Sequence, residues 1–121
     1  MPRFRFVPRT SSDVPTAPFV DAGQAWFWFI RCQRARDDGV RFENALGMMA
    51  RPCDPDDIYR AAVGLKRRGR IGGEHLSVLA TFGLCGRPPD RRCPDEERPA
   101  RLWEEALDSL TTVLKAKGIV E

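Results

Sequence analysis

The chain has 121 residues, of which 42% are hydrophobic and 31% charged, with a formal net charge of +3. This length predicts one domain that buries roughly two-thirds of its unfolded surface. There is no apolar run of about 18 residues and no secretory signal, so we expect no membrane-spanning helix and a cytoplasmic protein whose four cysteines are reduced.

The charge is distributed unevenly along the chain. Residues 1–58 carry 8 basic and 8 acidic groups, residues 59–92 carry 8 basic and 2 acidic, and residues 93–121 carry 4 basic and 7 acidic. The net charge alone is too small to indicate nucleic acid. The basic block in the middle is the stronger indication of a polyanionic partner.

Residues 1–20 contain four prolines and are predicted to form a flexible, basic arm outside a helical domain of residues 21–121. Arg3, Phe4, Arg5 and Phe6 alternate with the period of a strand. Such an arm can lie along a groove or a phosphate backbone, or dock on its own domain through its two phenylalanines.

The first helix is predicted to begin after Asp21 and to end near Asp38, with Gly39 just beyond it. The run from Ala25 to Ile30 is apolar on every side, which is typical of a helix enclosed by several neighbours. We interpret it as the central core helix, although its aromatic residues could instead face a partner. A short helix at 44–49 is also possible.

The second strong helix start is the sequence Asp54-Pro55-Asp56-Asp57, and this helix is expected to end at Arg68 before Gly69. A shorter helix follows from about Gly73 to Phe82, ended by Gly83. Its inward residues are predicted to be Leu76, Leu79 and Ala80. Two helices joined by a tight, glycine-containing turn have the spacing of a helix-turn-helix.

The last helix is predicted from Pro99 to Lys117, after a loop at 84–98. Its apolar residues form one continuous stripe at helical spacing: Trp103, Ala106, Leu107, Leu110, Val113 and Leu114. Gly118 should end the helix, so that Ile119 and Val120 fold back onto its last turn. Together these elements predict an all-α bundle of four or five helices.

The candidate nucleic-acid-binding residues flank the second helix of the pair. They are Lys66, Arg67, Arg68, Arg70, Arg87, Arg91 and Arg92. The helix between them offers only Glu74, His75, Ser77 and Thr81 as polar groups, so contact with phosphates is favoured over base reading. The alternative for the first three cations is structural, because cations stabilise a helix C-terminus.

The stretch from His75 to Gly83, followed by a loop and by Leu102–Leu107, resembles the helix-turn-helix of sigma-factor region 4. The chain is also similar to Q-type phage late antiterminators, some of which carry an early Trp-rich helix like that of Trp26–Arg34. The resemblance implies a regulator of transcription that works at promoter DNA or on RNA polymerase. It brings no site residue to this chain, because the last helix begins with carboxylates where a DNA reader would meet phosphates.

Other classes of function have less support in the sequence. With a single histidine, His75, and no glycine-rich phosphate loop after a strand, we expect a non-catalytic protein without a cofactor. His75 with Cys53, Cys85 and Cys93 could form a tetrahedral metal set, but the paired spacing of structural zinc is missing.

A protein-binding adaptor without affinity for nucleic acid is the competing hypothesis. It would use the acidic side of the last helix, formed by Glu104, Glu105 and Asp108. These carboxylates could equally be an ordinary solvated surface. The same acidic side and the basic block could also meet in a homodimer.

Overall fold

The protein is described by a computed structural model for residues 17–38 and 51–121. Within these ranges the helices are α1 (Ala22–Asp37), α2 (Pro55–Arg67), α3 (Gly73–Cys85) and α4 (Glu97–Ala116), with one turn of 3-10 helix at Pro94–Glu96. The all-α prediction is confirmed. The predicted helix at 44–49 and the arm up to residue 16 lie outside the described residues.

Local chemistry explains the starts of α1, α2 and α4. The Asp21 carboxylate accepts the Gln24 N–H at 2.8 Å and so caps α1 as predicted. At α2 the Asp57 carboxylate accepts the Asp54 N–H at 3.0 Å. Helix α4 begins two residues before the predicted Pro99, which lies in its first turn, where a missing N–H costs no helical hydrogen bond.

Helix α1 lies at the centre of the core, as its apolar sequence predicts. Phe27 contacts Trp103 of α4 with ring centroids 5.5 Å apart, and Phe29 stacks on Tyr59 of α2 at 5.9 Å. The buried Trp26 Nε1 donates to the Leu79 carbonyl of α3 at 2.9 Å. The aromatic residues of α1 thus contact all three other helices, and of the four only Phe27 is less than fully buried.

Helix α3 runs past its predicted end at Gly83 to Cys85. Gly83 is buried against α1, and Gly86, with φ +79°, ends the helix instead. The buried residues are Leu79, Phe82 and Gly83, at spacing i, i+3 and i+4, because this side faces Trp26 and Ile30. Ala80 was predicted to face inward and is exposed, while Leu76 packs against the core as expected.

The end of α4 is joined to the segment before α1. Gly118 (φ +77°) ends the helix and turns Ile119 and Val120 into the core, as predicted. Phe19 is completely buried, and it donates its N–H to the Ile119 carbonyl and accepts the Glu121 N–H, both at 2.9 Å. Residues 17–20, predicted as part of the arm, therefore include a core residue of the helical domain.

Candidate nucleic-acid interface

The structure places the seven predicted cations in two groups at opposite ends of α3. All seven are exposed. Four lie where α2 turns into α3, and three lie in the loop between α3 and the 3-10 helix. The 13 residues of α3 rise about 1.5 Å each, which separates its ends by about 20 Å. The basic block of the sequence is therefore not one continuous surface.

The first group, here called the basic turn, consists of Lys66, Arg67, Arg68 and Arg70. Its backbone is fixed by three hydrogen bonds: Arg68 N–H to the Gly64 carbonyl, Gly69 N–H to that of Lys66, and Arg70 N–H to that of Leu65, at 2.9–3.0 Å. Buried Ile71 anchors its far side. Among the described residues, none of these four cations has an ion-pair partner.

The second group, the loop arginines Arg87, Arg91 and Arg92, is paired with acids. Arg87 forms a bidentate pair with Glu96, with N–O distances of 2.9 and 2.7 Å. Arg91 contacts Glu104 at 2.6 Å, and Arg92 lies 3.6 Å from Asp90. These carboxylates neutralise the three charges locally, so this group attracts a polyanion less than the basic turn does.

The Arg87–Glu96 pair also shifts the proton affinity of both groups. The guanidinium of Arg87, helped by the Asp90 N–H at 2.7 Å, lowers the pKa of the Glu96 carboxyl from 4.5 to about 2. The same hydrogen bond raises the pKa of Arg87. Both groups stay charged at neutral pH, which holds the loop closed.

The acidic side of α4, which the adaptor hypothesis would use, is likewise largely paired within the molecule. Glu104 binds Arg91, and Glu105 lies 2.8 Å from His75. His75 Nδ1 accepts the Gly72 N–H at 2.9 Å, so its proton sits on Nε2 and is donated to Glu105. Within the described ranges, Asp108 alone of the three predicted acids has no ion pair.

Helix α3 presents little that could read base edges. It contains no Arg, Lys, Asn or Gln, and its first turn carries Glu74, which is bound by Arg98 of α4. Glu105 lies beside the same turn through its bond to His75. Carboxylates at this position repel phosphates, so α3 is unsuited to lie deep in a major groove.

A groove beside the basic turn adds residues that the sequence did not indicate. It has a volume of about 240 Å³ and is lined by Leu65, Arg68 and Arg70 on one side and by Ser109, Thr112 and Val113 of α4 on the other. The two hydroxyl residues are three apart on α4, next to its apolar stripe. Ser109 and Thr112 lie about 40 residues from the basic turn in sequence, so only the fold shows that they are close to it.

The four cysteines differ in their surroundings. Cys32 is buried, Cys53 is half-buried, Cys85 is exposed at the last position of α3 and Cys93 lies in the following loop. Burial raises the pKa of Cys32 to about 11, and burial with the Asp57 and Asp54 carboxylates raises that of Cys53 to about 11. These two thiols stay protonated at neutral pH. No three metal-ligating side chains come together in the described part of the chain.

None of the described helices is long and apolar enough to cross a membrane. The chain matches no protein-family model, no curated protein and no solved structure. The resemblance to sigma-factor region 4 and to Q-type antiterminators thus stays a prediction.

Proposed function

We propose that this protein is a small non-catalytic regulator that contacts duplex DNA, or the transcription machinery bound to it, through the basic turn. The observation that carries the proposal is the contrast between the two groups of cations. The loop arginines are neutralised by Glu96, Glu104 and Asp90, whereas the basic turn presents four charges without an acidic partner among the described residues.

The contact we propose is with the phosphate backbone. Arginine and lysine bind phosphates without reading sequence, and helix α3 lacks the side chains that read base edges. Each phosphate neutralised by a cation releases condensed counterions, which lowers affinity as salt rises. If all four cations of the basic turn meet phosphates, the log–log salt slope should be about −3.6.

A matched pair of double variants tests this directly. Arg67→Gln/Arg70→Gln removes two charges from the basic turn, and Arg91→Gln/Arg92→Gln removes two from the loop arginines. We expect the first to weaken binding to a random duplex and to flatten the salt slope by about 1.8, and the second to leave the slope nearly unchanged. Fluorescence anisotropy between 50 and 200 mM salt measures both.

The melting temperature separates a binding role from a structural one. Exposed charges without ion pairs contribute little to stability. The free energy of unfolding of the first double variant should therefore lie within about 1 kcal/mol of the wild-type value. Equal loss of binding in both variants would mean that total charge alone matters. Absence of DNA binding at low salt would overturn the proposal and leave the adaptor hypothesis, with Asp108 as the acid of α4 that forms no ion pair with the described residues.

A further inference from the structure

The groove between the basic turn and α4 differs in chemistry from two larger cavities that the described residues form. One, of about 410 Å³, is mainly apolar, with Phe27 and Trp103 in its wall and Asp21 at its edge. The other, of about 530 Å³, contains Arg34, whose guanidinium is engaged by the Leu84 carbonyl at 3.3 Å. Of these three, the groove alone combines two hydroxyl groups with two guanidinium groups that have no acidic partner among residues 17–38 and 51–121.

These four side chains are a set that suits a phosphate group. A guanidinium offers a planar fork of N–H donors that matches two phosphate oxygens, and a hydroxyl adds a further donor. The Thr112 hydroxyl donates to the Asp108 carbonyl at a long 3.4 Å and must turn from it to bind a phosphate, so Ser109 is the readier of the two donors. Of the residues that the structure describes, no carboxylate lines the groove. Leu65 and Val113 supply an apolar wall that shields these hydrogen bonds from water.

The local electrostatics favour an anion in spite of the nearby helix end. The C-terminus of α2 carries the equivalent of about half a negative charge, against two full positive charges on Arg68 and Arg70. The end of α4 lies beyond Thr112 by a full turn, where its influence is weak. The groove is therefore net positive by more than one charge.

Its size restricts what can enter. Pockets for drug-sized ligands measure about 300–1,000 Å³, so a groove of about 240 Å³ is too small for most of them. A single phosphate group fits a space of this kind. The open side of the groove, where both arginines are exposed, leaves room for a chain that continues on either side of the phosphate.

We infer that the groove is a phosphate-binding subsite that takes one phosphate of the DNA backbone and thereby fixes the orientation of the basic turn on the duplex. In it, Arg68 and Arg70 bind the phosphate oxygens and the Ser109 hydroxyl completes the contact, joined by that of Thr112 when it turns from the Asp108 carbonyl. This inference rests on the proposed function and adds to it a contact from α4.

Removing the two hydroxyl groups tests the subsite without changing any charge. For Ser109→Ala/Thr112→Val we expect a roughly ten-fold loss of affinity for a random duplex, the scale of a lost hydrogen bond to a charged group, with an unchanged salt slope. The control is Ser77→Ala/Thr81→Val, the same chemical change on exposed positions of α3, which should bind as the wild type does.

A second variant keeps the test independent of the first. Arg68→Lys preserves the charge and removes the planar fork, so affinity should fall several-fold at nearly the same salt slope. Wild-type affinity in both Ser109→Ala/Thr112→Val and Arg68→Lys would overturn the inference while the basic-turn proposal stands. Melting curves of both proteins confirm that they are folded.

Inorganic phosphate distinguishes the two possible sources of the ligand. Titrated into ¹⁵N-labelled protein at constant ionic strength, phosphate but not chloride should shift the amide signals of residues 65–70 and 109–113 to saturation. Such shifts in a protein that does not bind DNA would support a subsite for free phosphate and overturn the proposed function. Without these shifts and without an effect of the hydroxyl variant on DNA binding, the inference fails.

Discussion

At the scale of single residues, two glycines inside helices have opposite surroundings. A Cβ atom added to Gly83 would lie 2.8 Å from Trp26 Nε1 and 2.9 Å from Ile30 Cγ1, both in the buried core. A Cβ atom added to Gly64 would meet only the guanidinium of Arg68, at 3.3 Å. Arg68 is exposed and its side chain can move, whereas Trp26 is held by its hydrogen bond to Leu79.

We therefore expect Gly83→Ala to destabilise the protein by about 1–3 kcal/mol through overpacking against α1. The same substitution at Gly64 should stabilise it by up to about 1 kcal/mol, because alanine favours a helix interior over glycine. Urea denaturation of the two variants measures the difference. If the Gly83→Ala variant is as stable as the Gly64→Ala variant, α1 and α3 do not approach each other closely at Gly83.

These glycines also show what the sequence leaves open at the residue scale. Either Gly83 or Gly86 could end the helix, and the local sequence pattern favours Gly83. The choice depends on Trp26 and Ile30, more than 50 residues earlier, which need the space that a glycine leaves. A helix end decided by tertiary packing cannot be found from neighbouring residues alone.

At the scale of elements, the Arg87–Glu96 pair closes the loop between α3 and the 3-10 helix. The Glu96 side chain is 19% exposed and accepts hydrogen bonds from Arg87 and from the Asp90 backbone. Because folding lowers its pKa, its charged form stabilises the folded state. That contribution is fully present above the unfolded pKa of 4.5 and is lost as the pH falls towards 2.

A pH series of melting temperatures checks this sign. Glu96→Gln should melt below the wild type at pH 7, and the difference should shrink between pH 4.5 and about 2 as the wild-type carboxyl takes up its proton. Glu97→Gln is the control, since Glu97 is exposed and forms no ion pair with the described residues. A constant offset between the Glu96→Gln and wild-type curves down to pH 2 would contradict the assignment.

The elements themselves were largely predictable, because their signals are local. The caps at Asp21 and Asp54, the stripe of α4 and the stop at Gly118 all act within one or two turns of the residues that carry them. The candidate site was less so. In the sequence, Arg91 and Arg92 belong to the basic block of residues 59–92. Only the fold shows that acids such as Glu104 neutralise these two charges.

At the scale of the whole molecule, the segment before α1 and the segment after α4 close the core together. Phe19 is 0% exposed, its ring lies 5.1 Å from that of Trp28, and the guanidinium of Arg51 sits 4.3 Å from its centre. Arg51 also donates to the Ala17 carbonyl at 3.1 Å. A residue predicted to belong to a flexible arm is thus part of the central packing.

Phe19→Ala should lower the free energy of unfolding by about 3–5 kcal/mol, the usual result of emptying a buried aromatic site. Val20→Ala is the matched control, since its neighbouring side chain is 63% exposed and should change stability by less than about 0.5 kcal/mol. Urea titrations should show a lower midpoint for Phe19→Ala at the same slope. A loss below about 1 kcal/mol would mean that Phe19 is not a core residue.

The pairing of Phe19 with Val120 places the segment before α1 next to the segment after α4. The same arrangement of helices in space could therefore be built from a chain in which the helices follow one another in a different order. Since these two segments run parallel, a linker that runs back along the pair from Glu121 to Ala17 would close residues 17–121 into a ring, and the entropic cost of such a loop grows only slowly with its length. Such a ring can be reopened in the exposed loop between α3 and the 3-10 helix, at the cost of contacts such as the Asp90 N–H bond to Glu96. The fold is thus suited to circular permutation, with α4 preceding α1 in the new chain and the same core between them.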